Sequence, residues 1–367
     1  MGTRQVVGRP IDGRRHARRA RRRESHGNAR RNLDAWVDQH LPMAMRARAK
    51  ACWFRGWRQQ LALLLEAYGR QREDGRVASF ETHRSRSDVL YLAFGQLREK
   101  LGCKLQDVRV FRTRHLKELI AYWTAQGIEA STINLRLSVL RTFARWIGKA
   151  GVVPGTKDLA SIGFAPEVAA RVTYATRDKS WDRAVDKEAI FRAIDGADRR
   201  YGLIFRMQDA FGLRRLEAIR FRPHEDDCGD RLEILAGTKG GRLRHVPVAA
   251  AEQRALIDEC KAAVEKGDSL SGKEVALKVA RRRYKHLAEK FGATRAGLGV
   301  TGHGLRHGYA HRRYRDAFEV EPPVRDSQAS RPHGAAAREA KRRIAEALGH
   351  SRSAITTAYN GPARPRE

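Results

Sequence analysis

Cysteine is scarce and scattered. The four thiols, Cys52, Cys103, Cys228 and Cys260, form no CxxC pair, so neither a disulfide framework nor a cysteine-type zinc site is expected. Long apolar runs are missing too: no stretch approaches the roughly 18 residues that a membrane-spanning helix needs. The arginine-rich start is followed by no hydrophobic core of a secretory signal, and it carries little of the amphipathic apolar material of a mitochondrial presequence. Acid is the third shortage. Against 74 lysines and arginines stand 42 aspartates and glutamates, a formal net charge of +32. Such an excess implies a polyanionic partner, and without a membrane segment the expected polyanion is nucleic acid, held with salt-sensitive affinity through counterion release. Core-forming material is not lacking. Apolar residues make up 41% of 367, which suits two domains and a tail. The setting this implies is a reduced cytoplasm, facing DNA or RNA.

Residues 1–32 hold eleven arginines against Asp12 and Glu24 and read as a basic disordered arm. From 33 to 75 the pattern is helical, with Leu61, Leu64, Leu65 and Tyr68 at i, i+3, i+4, i+7; "REDGRVAS" then breaks it as a linker. A second helical block fills 76–155. In "STINLRLSVLRTFARWIGKAG", Ile133, Leu137, Leu140, Ala144 and Ile147 form one apolar stripe, with Ser131 or Thr132 as the start cap and Gly148 or Gly151 at the end. Arg136, Arg141 and Arg145 lie off the stripe, where they suit either a DNA groove or a solvated face. The Pro- and Gly-containing stretch 156–185 reads as an interdomain connection. Beyond it, 186–367 is mostly helical, with Asp186 as an N-cap, and holds one β-hairpin in "DRLEILAGTKGGRLRHVPVAA". The fold class expected is therefore mainly α with a small antiparallel sheet in the C-terminal domain.

"TGHGLRHGYAHRRY", Thr301 to Tyr314, packs three histidines and three arginines among glycines. A metal reading would use His303, His307 and His311 on one helical face, but the HExxH glutamate is missing and the neighbouring Arg306, Arg312 and Arg313 oppose a cation. No metal is expected. An anion site fits better once other segments are added. "GLRRLE" places Glu217 three residues after Arg214, able to hold a guanidinium on a helix. "TKGG" sets Lys239 at a hairpin turn, and "LGHSRSAITTAYNG" presents His350 and, nine residues later, Tyr359.

Taken in order, GLRxxE, TKGG, HxLRH and LGH followed by T-x-x-Y resemble the tyrosine recombinase or phage integrase family, over roughly residues 85–361. "HLKELIAYWTAQGIEASTINLRLSVLRTFARWIGKAGVVP" is similar to that family's helical core-binding domain. The resemblance implies a core-binding domain and a catalytic domain that close around duplex DNA. Arg214 and Arg306 would clamp the scissile phosphate, Arg215 being the alternative to Arg214. His303 would assist proton transfer or touch a phosphate oxygen, and His350 would donate to the phosphate. Lys239 would protonate the departing 5′ oxygen, while Glu217 and His307 would support the site. Tyr359 would be the nucleophile, leaving a 3′-phosphotyrosyl link whose conserved bond energy needs neither ATP nor another cofactor to rejoin. The activity implied is site-specific recombination that integrates or excises a mobile element in a bacterial, nucleoid-associated setting. Four protomers would act on two attachment sites, with DNA-bending or excision factors as further partners. A chromosome-dimer-resolving enzyme, a nicking-closing enzyme and a catalytically silent DNA-binding protein of the same fold are the alternatives.

The sequence also departs from the family pattern. The interval from Arg306 to His350 is longer than in compact members, and 316–337 is expected to be a disordered loop or a contact with a neighbouring protomer. Only "NGPARPRE" follows Tyr359, too little for the C-terminal helix that many relatives pass to a neighbour. The helical unit at 33–75 is either an added arm-type DNA module or a packing extension.

Overall fold

A computed structural model of the chain describes residues 28–238 and 240–362. Most of the basic arm therefore lies outside the described residues. The chain divides into two compact units at Arg171–Val172.

The first unit is all helical: α1 (28–40), α2 (Met43–Cys52), α3 (Trp57–Tyr68), α4 (Phe80–Glu99), α5 (Thr113–Ala125) and α6 (Ala130–Trp146). Each helix turns its apolar stripe to one core. The α6 stripe from Ile133 to Ile147 is buried throughout, as its 3.6-residue period requires. Leu33 of α1 and Leu61 of α3 enter the same core as Leu137 and Leu140, around the packed rings of Phe94, Phe111 and Phe143. Residues 33–75 thus pack into the core of the helical unit. "REDGRVAS" is a tight reversal, closed by Arg72 N–H to Arg76 O at 3.1 Å and followed by Ser79 capping α4 through Thr82 N–H at 3.2 Å. Helix α6 starts one residue before Ser131, on an uncapped Glu129, and ends before Gly148, whose φ of 74° suits the left-handed turn.

The second unit comprises α7 (Lys187–Ala197), α8 (Arg199–Phe211), α9 (Arg215–Arg220), β1 (Arg231–Ile234), β2 (Arg244–Pro247), α10 (Ala251–Ala263), α11 (Leu277–Lys290), α12 (Gly302–Phe318), α13 (Gly334–Ala347) and α14 (Thr357–Asn360). The strands pair antiparallel, with Ile234 opposite Arg244. Asp186 caps α7 by accepting from Ala189 N–H at 3.0 Å. Helix α8, buried on most sides, packs against α7, α10 and α12.

One expectation needs correction and another gains detail. The connection at 156–185 contains the boundary between the units, and its two ends pack into them. Leu159, Ile162 and Ala169 join the first core, and Trp181 joins the second with its indole N–H on Thr301 O at 2.8 Å. Its first half runs as short 3₁₀ turns, Thr156–Ile162 and Pro166–Ala169, which leave no sustained period to read. The segment 316–337 is not a disordered loop. Helix α12 continues to Phe318, α13 begins at Gly334, and the strap between them is pinned by Arg325, whose side chain is 2% exposed.

Candidate active site

Gly212 ends α8 with φ of 58°, and a Cβ there would stand 2.4 Å from the Tyr309 ring. That turn lets Arg214 open α9. Glu217, in the first turn of α9, accepts from Arg214 N–H at 2.7 Å and from its guanidinium at 2.5 Å. Glu217 is wholly buried and also receives Arg244 Nη1 at 2.5 Å, with Arg306 at 3.9 Å. Burial alone would raise its carboxyl. The guanidiniums of Arg244, Arg214 and Arg306 outweigh that and hold it below the usual carboxylate range.

Arg244 is the site residue that the sequence reading missed. It lies on β2, buried, donating to Ala347 O at 2.6 Å and Phe211 O at 3.1 Å. Its signal was the strand alternation itself: Arg244 shares the inward face with Val246.

Helix α12 carries Arg306 on its buried face. Glycines permit that depth: a Cβ on Gly304 would sit 2.3 Å from Lys179 O. Arg306 is fully enclosed, donating to Gly212 O, to Leu348 O and, from Nε, to the Tyr359 hydroxyl at 3.0 Å. The histidines of α12 form a column, with rings 5.2 Å apart for His303–His307 and 6.2 Å for His307–His311. No three metal-capable side chains come together among the described residues. The column turns toward Tyr359 instead. The His307 ring lies 4.9 Å from the phenol, His303 6.0 Å away, and His311 Nε2 bonds Tyr359 O at 2.9 Å.

Tyr359 is 5% exposed. His350 Nε2 stands 3.2 Å from its hydroxyl. Arginine can only donate, so Arg306 donates a hydrogen bond to the phenolic oxygen, and the phenol donates in turn to His350 when the imidazole carries its proton on Nδ1. Burial, which disfavours the charged ring, pushes His350 down to about 4, and the charges of Arg306 and Arg214 act in the same direction. Burial of the ring and the same two arginines take His303 to about 4, although the residue as a whole is exposed. His350 is therefore neutral near pH 7, and its Nε2 is an acceptor in the tautomer protonated on Nδ1. Beside it opens a cleft of about 490 Å³, bordered by Arg214, Thr238, Arg244, Arg343, Gly349 and His350.

The structure thus brings Arg214, Glu217, His303, Arg306, His307, His350 and Tyr359 together. Lys239 lies outside the described residues. Arg215 points elsewhere, its guanidinium 5.8 Å from the Tyr284 ring. The three α6 arginines are in the first unit. Arg136 stacks on Trp123 at 4.9 Å, Arg141 donates to Pro154 O at 2.6 Å, and exposed Arg145 pairs with Glu73.

Comparison with known proteins gives a consistent picture. The family model described as integrase matches residues 169–312, and the one described as phage integrase, N-terminal, matches 67–153. Among curated relatives, tyrosine recombinase XerC of Chromobacterium violaceum is 28% identical over 205 residues, 53% of this chain and 64% of the relative. XerC of Rhodospirillum centenum is 26% identical, covering 67% and 73%, and XerA of Thermococcus onnurineus 25%, covering 68% and 77%. The match thus spans just under two thirds of the first of these relatives and about three quarters of the other two. Among solved structures, a lambda integrase dimer bound to a COC′ core site superposes with a TM-score of 0.51 at 16% identity, over 85% of this chain and 97% of that one. The Tn1549 transposon integrase in complex with transposon right end DNA gives 0.50 at 13%, over 82% and 93%. Likeness at such identity speaks for the fold, and the sequence matches speak for descent. With the ordered arginine, histidine and tyrosine motifs gathered at one site, the chain belongs to the phage integrase family of tyrosine recombinases.

Proposed function

We propose that the protein is a site-specific DNA recombinase that breaks and rejoins strands through a 3′-phosphotyrosyl intermediate, with Tyr359 as nucleophile. The observation that carries this is the Tyr359 hydroxyl set between Arg306 Nε at 3.0 Å and His350 Nε2 at 3.2 Å. A phenol attacks poorly at its ordinary pKa of about 10. Here a guanidinium stands ready to stabilise the phenolate and a neutral imidazole to take the proton.

The scissile phosphate enters the cleft beside Arg214 and His350. The Tyr359 oxygen attacks phosphorus as its proton passes to His350, and the bond to the 5′ oxygen breaks. Lys239 supplies the proton that makes this leaving group a 5′ hydroxyl. Arg214 and Arg306 bear the charge that builds on the equatorial oxygens, where planar guanidinium forks match phosphate geometry. Glu217 and Arg244 hold those forks in place, and His303 and His307 line the tyrosine side. Attack by another strand's 5′ hydroxyl reverses the chemistry and reseals the backbone.

The proposal extends to assembly. Double-stranded attachment sites are the substrate, bound by both units, and four protomers act on two sites, integrating or excising a mobile element in the cytoplasm. Lambda integrase, one of the solved relatives, has been captured as a tetramer on a Holliday junction. No described helix is long and apolar enough to cross a membrane.

The test is covalent capture on nicked DNA carrying the element's boundary, with EDTA present, comparing wild type with Tyr359→Phe on a denaturing gel. A protease-sensitive shifted band from wild type alone is the expected outcome. A band from both would assign the nucleophile elsewhere. Specific binding without a band from either would favour a silent DNA-binding protein.

A further inference from the structure

The strap at 319–333 has no helical framework of its own and is anchored through side chains. Arg325 donates from Nε to Asp178 Oδ2 at 2.9 Å and from Nη2 to Ser180 Oγ at 2.7 Å and Asp182 Oδ2 at 2.8 Å. Asp182 is in turn held by Arg312 at 3.3 Å and Lys187 at 3.4 Å, and both of these reach Asp209 of α8 at 3.0 Å.

Two short routes lead from this anchor to Tyr359. Along the chain, Val324 N–H bonds Asn360 O at 2.9 Å, one residue past the tyrosine. The approach is close enough that a Cβ on Gly361 would stand 2.7 Å from Val324 N. Through space, Asp178 lies 3.6 Å from His311 Nδ1, and His311 Nε2 bonds Tyr359 O at 2.9 Å. A third hook is Ala175 N–H on Thr357 O at 2.8 Å. Helix α14 has four residues, too few to hold a conformation alone. The position of Tyr359 is therefore set from outside, and Arg325 is where the outside supports meet.

We infer that the strap is a latch that confines Tyr359 to its own protomer's pocket, with Arg325 as the positioning residue. The inference rests on Tyr359 being the nucleophile. While the latch holds, the tyrosine attacks only the phosphate gripped by its own Arg306 and His350. With Arg325 removed, the turn at 356–361 loses its fixed seat and the nucleophile can reach a neighbouring pocket.

The test uses the full chain on nicked cognate DNA. Arg325→Met is expected to slow covalent capture at least tenfold while DNA affinity stays within about twofold, and Arg325→Lys to recover much of the rate. A mixing experiment then separates positioning from general loosening. A chain with Arg214→Gln keeps its tyrosine but lacks a working pocket, and a differently tagged chain with Tyr359→Phe has the pocket alone. Mixed, they should form no adduct; adding Arg325→Met to the Arg214→Gln chain should produce one on that chain. Asp178→Asn, which keeps the side-chain shape, carries the same expectations if Arg325→Met does not fold. A Tyr359-dependent adduct formed at the wild-type rate by the strap variants, with no adduct in any mixture, would overturn the latch alone. An adduct from Tyr359→Phe by itself would overturn the nucleophile, and the latch with it.

Discussion

Helices α6 and α12 are each seventeen residues long, and each carries arginines whose fates differ. On α6 the arginines flank the apolar stripe, Arg136 and Arg141 half-buried at its edges and Arg145 exposed, and find partners at hand: an aromatic ring, loop carbonyls, an exposed glutamate. On α12 one arginine takes a core position, and the fold brings a carboxylate, two carbonyls and a phenol from other segments to meet it. A surface guanidinium can be lost with small consequence. A buried one is tolerable only inside a complete set of partners.

That contrast can be pressed experimentally, beginning where the effect should be greatest. Glu217→Gln leaves three guanidiniums around an uncharged amide. Breaking a buried pair typically costs about 3–5 kcal/mol, so the second unit should melt lower by on the order of 10 °C, with capture lost as well; calorimetry on the full chain checks this. On α6 the comparison splits. Arg141→Ala removes bonds to the Val153 and Pro154 carbonyls and should cost about 2 kcal/mol, while the salt dependence of DNA binding stays unchanged. Arg145→Ala should do the reverse. Its exposed pair with Glu73 contributes under about 1 kcal/mol, and the loss of an Arg145–phosphate contact lowers the slope of log K against log salt by about 1. An Arg145 variant with an unchanged slope would remove it from the DNA-binding face.

pH gives the most diagnostic change. His303, His307 and His350 have folded-state values of about 4, 3 and 4, below the unfolded value of about 6.5. Between those limits the unfolded chain binds more protons, so stability falls as pH drops from about 6.5 toward 4. Melting temperature at pH 5 should lie below that at pH 7. The capture rate of molecules still folded should hold to about pH 5, then fall as His350 becomes protonated and can no longer accept from Tyr359. A rate that fell in step with the ordinary histidine range would remove His350 from the acceptor role.

Much of the site was legible beforehand, because its residues come in short ordered motifs whose chemistry is local: an arginine three residues before its glutamate, histidine and arginine one turn apart, a tyrosine nine residues after a histidine. Arg244 was not legible. It stands alone in a strand, and only its register beside Val246 hinted that it turns inward. The strap was misread for a related reason. Proline, serine and glycine describe a segment without helical period, and nothing in that composition shows that Arg325 meets Asp178 and Asp182 across some 145 positions of chain.

The amino-acid order by itself determined the family, the helices with their buried stripes, the hairpin, and six of the seven groups gathered around Tyr359 as candidates for one site. Periodicity and motif spacing report what happens within a few residues, and that information is in the chain. The tertiary structure alone decided which guanidiniums are buried, that the helices at 33–75 share a core with those after them, and that a loop holds the tyrosine in its seat. Those outcomes depend on charges and carbonyls brought together from distant segments, and the free energy of a buried ion depends on that complete set of neighbours, which no local stretch contains.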